Sequence, residues 1–236
     1  GEWGNVNHAK EIFISLMVGL GNNVISKNED GVYVATLTER SDDTLSPAES
    51  ALRFYTDFAD PVKSSYSWNR SQPNSRDAFL AGTLATYFGR ASEVFTLRSG
   101  NPNLNFDVAP YPLVRDGKSV NPTDLYALSI PRGAVNQKGA LALAVALSGA
   151  AAQQTMVGVT GLPSVRRDVV IENPANPYQK TFNDAALNAF TFFDPNPTLS
   201  DEVFERMVED VSSGRLRIPE AVTSGQNELA ALLKVQ

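Results

Sequence analysis

Cysteine is absent from the chain, which removes disulfides, thiolate nucleophiles and cysteine-ligated zinc together. Histidine occurs once, at position 8, so a histidine-dependent triad or a multi-histidine metal site would have to be built around a single residue. No stretch of about 18 consecutive apolar residues is present to span a membrane. There is no His-Glu-x-x-His, no Gly-x-Ser-x-Gly and no phosphate loop ending in Gly-Lys-Ser/Thr. Gly19-Leu-Gly-Asn-Asn-Val24 opens like a dinucleotide fingerprint, but it lacks the third glycine and ends a helical pattern instead of following a strand. Positive charge is also in deficit. Twenty Lys and Arg against 26 Asp and Glu give a formal charge of −6, which disfavours a general nucleic-acid or anionic-membrane surface.

What remains is 236 residues, 42% of them hydrophobic, enough for one large or two small globular units. The periodicity reads as α/β. Asn7 is expected to cap a helix carrying Ile12, Phe13, Leu16, Met17 and Leu20, ended by Gly21 and Asn22. Residues 32–37 read as a short strand. Ser46-Pro-Ala-Glu49 is a capping box with proline at the first helical position, followed by the apolar stripe Ala51, Leu52, Tyr55, Phe58 and Ala59. Asn74 or Ser75 starts a short helix ended by Gly82, and residues 84–88 are expected as a buried strand. Residues 105–109 and 125–130 are two further strand candidates, and 136–147 an alanine-rich helix. Ser200 with Asp201 and Glu202 should open a helix bearing Val203, Phe204, Met207, Val208 and Val211, closed by Gly214. Pro219 opens the last helix, facing inward through Val222, Leu229, Leu232 and Leu233. No internal repeat or low-complexity linker interrupts these elements.

The most informative stretch joins an aromatic segment, Tyr66-Ser-Trp-Asn-Arg70, to the run of residues 77–93. Open α/β sheets bind ligands beyond the carboxyl ends of their strands, so the loop 89–93 is where a small polar molecule belongs. Trp68 offers a ring face for stacking while Tyr66, Asn69 and Arg70 supply polar groups around it. Arg90, Ser92 and Glu93 line the loop. Neighbouring strand residues face opposite ways, so Phe88 is expected inward and Tyr87 near the cleft. Each has a plainer reading: Trp68 as packing for the preceding helix, and the loop charges as a solvated pair. Binding, not bond-making, is the first hypothesis.

The same segment carries a family likeness. Asp77-Ala-Phe79, Gly82, Ala85 and Phe88-Gly89 resemble a block of the extracellular solute-binding proteins of the sugar-binding type, the maltose-binding protein superfamily. Further matches follow in the family's order: Phe106-Asp-Val-Ala-Pro-Tyr-Pro112, Tyr126-Ala-Leu-Ser-Ile-Pro131, Gly161-Leu-Pro-Ser-Val-Arg-Arg-Asp168 and Ser213-Gly-Arg215. The resemblance implies a periplasmic-binding-protein type II-like α/β fold, with one nearly complete lobe plus a return segment of a second lobe. Residues 1–105 and 170–236 would form the second, C-terminal lobe. Residues 106–169 would return to the first, N-terminal lobe, whose remainder would precede Gly1. Val108, Leu128, Ile130, Leu143 and Leu147 should then expose apolar surface.

The implied function is the substrate-binding component of an ATP-driven ABC importer, holding a sugar or related polar solute in an interlobe cleft and docking on membrane permease subunits. The implied location is extracytoplasmic, with anchoring through a lipid attachment upstream. No enzyme activity, no cofactor, no metal and no nucleic-acid partner are implied. The resemblance places Glu2 and Trp3 where sugar binders carry a glutamate and an aromatic that touch ligand; the plainer reading is a frayed terminus. Where maltose binders carry a stacking Trp-Tyr pair, this chain has Asp201 and Glu202, so maltodextrin specificity does not transfer. Arg166-Arg-Asp168 reads as surface charge. Two other classes stay open: a carbohydrate-active hydrolase using acids such as Asp57, Asp77 and Glu93, and a non-transport interaction domain with a vestigial cleft.

Overall fold

The structure, a computed structural model, describes residues 2–40, 45–112, 120–169 and 176–234. The element order is α1 (Ala9–Gly19), β1 (Ile25–Lys27), β2 (Tyr33–Ala35), α2 (Pro47–Asp57), α3 (Ser75–Leu80), a 3-10 turn (Ala91–Glu93), α4 (Val94–Gly100), β3 (Asn121–Pro122), α5 (Gln137–Leu147), α6 (Ala150–Thr160), α7 (Gln179–Leu187), β4 (Ala189–Phe190), α8 (Pro197–Ser212) and α9 (Ile218–Leu233). The strands form an antiparallel hairpin, β1–β2, in which Ile25 faces Ala35, and a short parallel bridge, β3–β4, in which Asn121 faces Ala189.

The core sits where α1, α2, α8 and α9 converge on the hairpin. Trp3, Phe13, Tyr55 and Phe204 form its aromatic centre, with Phe13 edge-on to Trp3, Tyr55 and Phe204 at 5.8–6.3 Å. Met17, Leu37, Leu52, Val208, Val222 and Leu229 close around them. Edge-to-face ring pairs add about 0.5–1.5 kcal/mol each beyond the area they bury. Gln226 on α9 reaches the hairpin edge, accepting from the Leu37 N–H at 2.7 Å and donating to the Ala35 carbonyl at 2.6 Å. An otherwise unpaired edge is thereby covered. Gly225 lets α9 approach α8 closely, because a Cβ there would lie 2.2 Å from the buried Met207 sulfur.

Local signals explain most helix starts. Ser46 and Glu49 form the expected reciprocal capping box, with Pro47 at the first turn of α2. Asn74 caps α3 and Asn136 caps α5 through their side chains. After α1 the chain turns through Gly21 at φ 101°, a conformation that favours glycine. Two starts differ from expectation. Asn7 does not cap α1: His8 occupies that position at φ 60°, and the Asn7 carboxamide instead accepts from Ser75 Oγ and the Arg76 N–H. Helix α8 begins at Pro197, capped by Asn196, rather than at Ser200. Ser200 is buried because its hydroxyl binds Asp194 and Lys10.

Three expected strands are also corrected. Residues 84–88, 105–109 and 125–130 form no ladder. After α3 the Thr83 and Leu84 N–H groups both return to the Ala78 carbonyl, which bends the chain away from strand pairing. Its aromatic residues are satisfied by ring contacts instead, Tyr87 on Phe79 and Phe88 on Tyr111.

Helices α5 and α6 contrast with the core. Neither Leu141, Leu143, Val145 nor Leu147 of α5 is buried, and Leu128 in the preceding segment is exposed too. Of the residues expected to expose apolar surface, Leu128, Leu143 and Leu147 do, whereas Ile130 is half-buried and Val108 packs beside Val94, Tyr178 and Phe182. Among the described residues no single helix is long and apolar enough to cross a membrane; α5 and α6 together reach that composition but bend by 57° between them. The lobe boundary expected at residue 170 falls outside the described residues.

Candidate ligand-binding site

Residues 2–8 form an irregular strap that crosses the two loops singled out in the sequence. Glu2 Oε2 accepts from Arg70 Nε at 2.6 Å. Asn5 Nδ2 donates to the carbonyls of Asn69 and Gln72 at 2.8 and 2.9 Å. Asn7 binds Ser75 and Arg76. His8 Nε2 donates to Glu93 Oε2 at 2.8 Å. The aromatic loop and the 87–93 loop, distant in sequence from the chain's start, are thus held by one short segment.

In the aromatic loop, the N–H groups of Ser67 and Trp68 both bond the Phe58 carbonyl at the end of α2. Trp68 is half-buried, and its indole nitrogen is buried without a hydrogen-bond partner among the described residues. Tyr66 is exposed. Asn69 is committed to the turn, its Oδ1 accepting from both the N–H and the hydroxyl of Ser71. Trp3, by contrast, lies in the core, stacked on Phe204 and tilted against Tyr55. An indole buries a large apolar area, and packing between α1, α2 and α8 satisfies it without ligand. Only an edge of the residue reaches a shallow concavity of about 340 Å³, which is also lined by His8, Lys10, Glu11, Asp201 and Glu205.

Glu93 is the hub of the second loop. Its Oε2 accepts from His8 and from the Arg90 N–H at 2.8 Å, and its Oε1 accepts from Tyr87 Oη at 3.1 Å. Burial alone would raise its pKa, but the hydrogen bonds from His8, Arg90 and Tyr87 and the attraction of His8 prevail and hold it at about 2. The same burial and the Glu93 carboxylate push the Tyr87 phenol upward. Arg90 donates to Glu11 at 2.6 Å and also pairs with Asp124. Ser92 is exposed, and its hydroxyl carries no hydrogen bond among the described residues. Tyr87 and Phe88 are both half-buried, so the expected inward Phe88 is not found; Tyr87 contacts Phe79 and His8, and Phe88 contacts Tyr111. Tyr111 is itself hydrogen-bonded to Ser15 of α1 at 2.8 Å, and burial pushes its phenol up to about 12.

Chemically, this arrangement is a set of charged groups that already have partners within the protein. A carboxylate held ionised at about 2 is unsuited to the general-acid role that glycoside hydrolysis requires, which depends on a raised pKa. Asp57 is paired with Lys63 at 3.6 Å, away from Glu93's partners. No group of three or more His, Asp or Glu side chains able to hold a metal occurs among the described residues. Arg166 and Asp168 pair with each other at 2.8–2.9 Å on the surface, which matches the plain reading of that motif.

Sequence reasoning missed three contributors. His8 was visible only as a lone histidine, since its partner lies 85 residues on. Asp124 lay just before the expected strand 125–130, with no signal of its own. Lys10 uses all three N–H donors on Asp194, the Pro197 carbonyl and Ser200 at 2.6–2.9 Å, partners that lie 184–190 residues on.

Residues 3–185 match the family profile described as bacterial extracellular solute-binding protein. No curated protein matches the chain in sequence. Among solved structures, an ABC transporter solute-binding protein from Thermotoga lettingae bound with α-D-tagatose aligns with a TM-score of 0.63 at 20% identity, covering 96% of this chain and 57% of that one. The maltose-maltodextrin binding protein of the thermoacidophilic bacterium Alicyclobacillus acidocaldarius aligns with a TM-score of 0.65 at 16% identity, covering 92% of this chain and 58% of that one. The chain therefore spans less than two thirds of either structure, and shares with them the periplasmic-binding-protein type II-like fold that the sequence blocks implied.

Proposed function

The chain belongs to the bacterial extracellular solute-binding protein family, and from that premise we propose that it is the solute-capturing part of an ABC importer, working outside the cytoplasm and binding a neutral sugar or related polyol. The observation that carries the choice of solute is that the charged side chains of the two loops already have partners. Glu2 is paired with Arg70, Glu93 with His8, and Arg90 with Glu11 and Asp124, so the uncommitted groups are aromatic faces and hydroxyls: Tyr66, Trp68 and Ser92. Such groups suit a neutral ring bearing hydroxyls, whereas a charged solute would have to displace an existing ion pair. In this reading Glu2, Asn69, Arg70, Tyr87, Arg90 and Glu93 shape the rim, and Trp3 supports it from the core.

We propose further that residues 106–169 are the returning part of the opposite lobe, whose other elements cover the exposed apolar side chains of α5 and α6. Permease subunits would be the membrane partner, and a lipid attachment upstream the anchor. The relatives' greater length and the exposure of Leu128, Leu143 and Leu147 support this division.

The two tryptophans make the test self-controlled. Titration with neutral hexoses and malto-oligosaccharides, followed by NMR of the indole N–H signals, should move Trp68 and leave Trp3 unmoved. Trp68→Ala should weaken binding about tenfold or more, equivalent to the ~1–2 kcal/mol of a stacked ring. Preference for sugar acids over neutral sugars, or an unchanged affinity in Trp68→Ala, would overturn the assignment.

A further inference from the structure

A separate cavity of about 390 Å³ opens between the end of α4, the turn 101–106 and the start of α7. Its volume falls within the range of about 300–1,000 Å³ usual for small-molecule sites. None of its lining residues belongs to the strap or to the two loops of the proposed sugar site.

Tyr178 is the fixed post of this cavity. The residue is buried, its ring packs against Phe106 and Phe182 at 6.3 Å, and its backbone N–H is held by Asn176 Oδ1 at 3.0 Å. Its hydroxyl donates to the Phe106 carbonyl at 3.1 Å and accepts from Arg98 Nη2 at 3.3 Å. The Arg98 guanidinium lies over the Tyr178 ring, 5.0 Å from its centroid, so it is oriented both by the hydroxyl and by the ring face. No carboxylate among the described residues pairs with it. One of its five N–H donors is used on Tyr178, leaving an edge of the fork for another acceptor. Asn105 stands at the rim with its carboxamide uncommitted among the described residues, and Leu104 and Phe106 supply the apolar wall.

From this arrangement we infer that the cavity is a second ligand site, one that takes a small monocarboxylate with a ring or apolar body. The oriented fork of Arg98 accepts the carboxylate, Asn105 bonds its free edge, and Leu104 and Phe106 cover the body. A doubly charged phosphate fits less well. Only one guanidinium faces the cavity, and it sits in the last turn of α4, where the helix end presents unpaired carbonyls and partial negative charge. The chain's net charge of −6 adds to that repulsion.

Benzoate is a direct probe, with benzyl alcohol as its uncharged counterpart and inorganic phosphate as the competing anion. Titrated into the 236-residue chain and followed by the Asn105 carboxamide and Phe106 ring signals, benzoate should bind at least tenfold more tightly than either. Arg98→Gln should weaken benzoate at least tenfold while leaving the melting temperature and the sugar-induced shift of Trp68 unchanged, because Arg98 is exposed and outside the core. Arg98→Lys, which keeps the charge and loses the fork, should fall between the two. Equal binding of benzoate by Arg98→Gln, equal binding of benzyl alcohol by the wild type, or tighter binding of phosphate would each overturn the proposal. So would wild-type affinity in Arg98→Lys. Failure here leaves the sugar site untouched, since the Trp68 signal reports that site alone.

Discussion

Helices α1 and α5 are both eleven residues long and both apolar, yet they have opposite fates. In α1, Phe13 and Met17 are fully buried against α2, α8 and the aromatic centre. In α5, Leu141, Leu143 and Val145 stand 57%, 60% and 64% exposed, and no residue of the helix is buried. The difference does not lie in the helix start, since the exposed α5 has a side-chain cap from Asn136 whereas the buried α1 starts at His8 without one. It lies in neighbours: α1 packs against α2, α8 and β3, whereas the main neighbour of α5 among the described residues is α6. An apolar stripe states that something must cover it, and the covering element decides how much stability it yields.

Substitution should separate the two regions sharply. The largest effect is expected at the aromatic centre, where Phe204→Ala removes a ring in contact with Trp3 and Phe13. A loss of about 3–5 kcal/mol is expected, read as a fall in urea midpoint with little change in slope. Next comes Gly225→Ala. Alanine favours helix by about 1 kcal/mol over glycine, but its methyl would meet the buried Met207 side chain, which would have to shift within the core. Overpacking should dominate, giving a net loss of about 1–2 kcal/mol. A gain in stability at this position would mean that α8 and α9 are less tightly apposed than described.

The loop network should show an intermediate effect with a pH signature. The folded-state pKa of Glu93, about 2, lies below its ordinary 4.5, so its stabilising contribution is fully present above pH 4.5 and is lost as pH falls through 2. Glu93→Gln should therefore cost about 1–2 kcal/mol at pH 7, and the gap between variant and wild type should narrow steadily in melts taken from pH 4.5 down to 2. A gap independent of pH would show that shape, not charge, holds the loop. The smallest effect belongs to α5: Leu143→Gln should change the stability of the chain by less than about 0.5 kcal/mol. A loss near that of Phe204→Ala would erase the contrast between the two regions.

How much of this was legible in the sequence follows the same division. The α2 capping box, the asparagine caps of α3 and α5, and the inward faces of α8 and α9 were readable because their signals lie within a few residues. The three missing strands were misread because short apolar runs such as 84–88 satisfy a strand pattern equally well when rings, not ladders, take up their surface. Asn7 was a sound local cap that lost to a long-range partner, Ser75. At the site, both loops were visible as composition, but Glu93's role was not, because its governing partner His8 carries no local signal. Trp3 could not be told apart from a ligand contact, since an indole suits a core and a cleft alike.

The strap of residues 2–8 has a consequence for the order in which the protein assembles. Its side-chain bonds to the loops join residues 64 to 85 positions apart, so each closes a long stretch of chain for the return of a hydrogen bond or one ion pair. Such closures become favourable only after α1, α2, α8 and α9 have already brought their ends together. Trp3 anchors the strap itself in the aromatic centre, so what closes late in folding and parts early in local opening is its set of side-chain bonds to the loops, while the aromatic centre stays closed. The two loops that would meet a solute are fastened by side-chain hydrogen bonds and ion pairs, and solute capture can draw on loop motion without loosening the core.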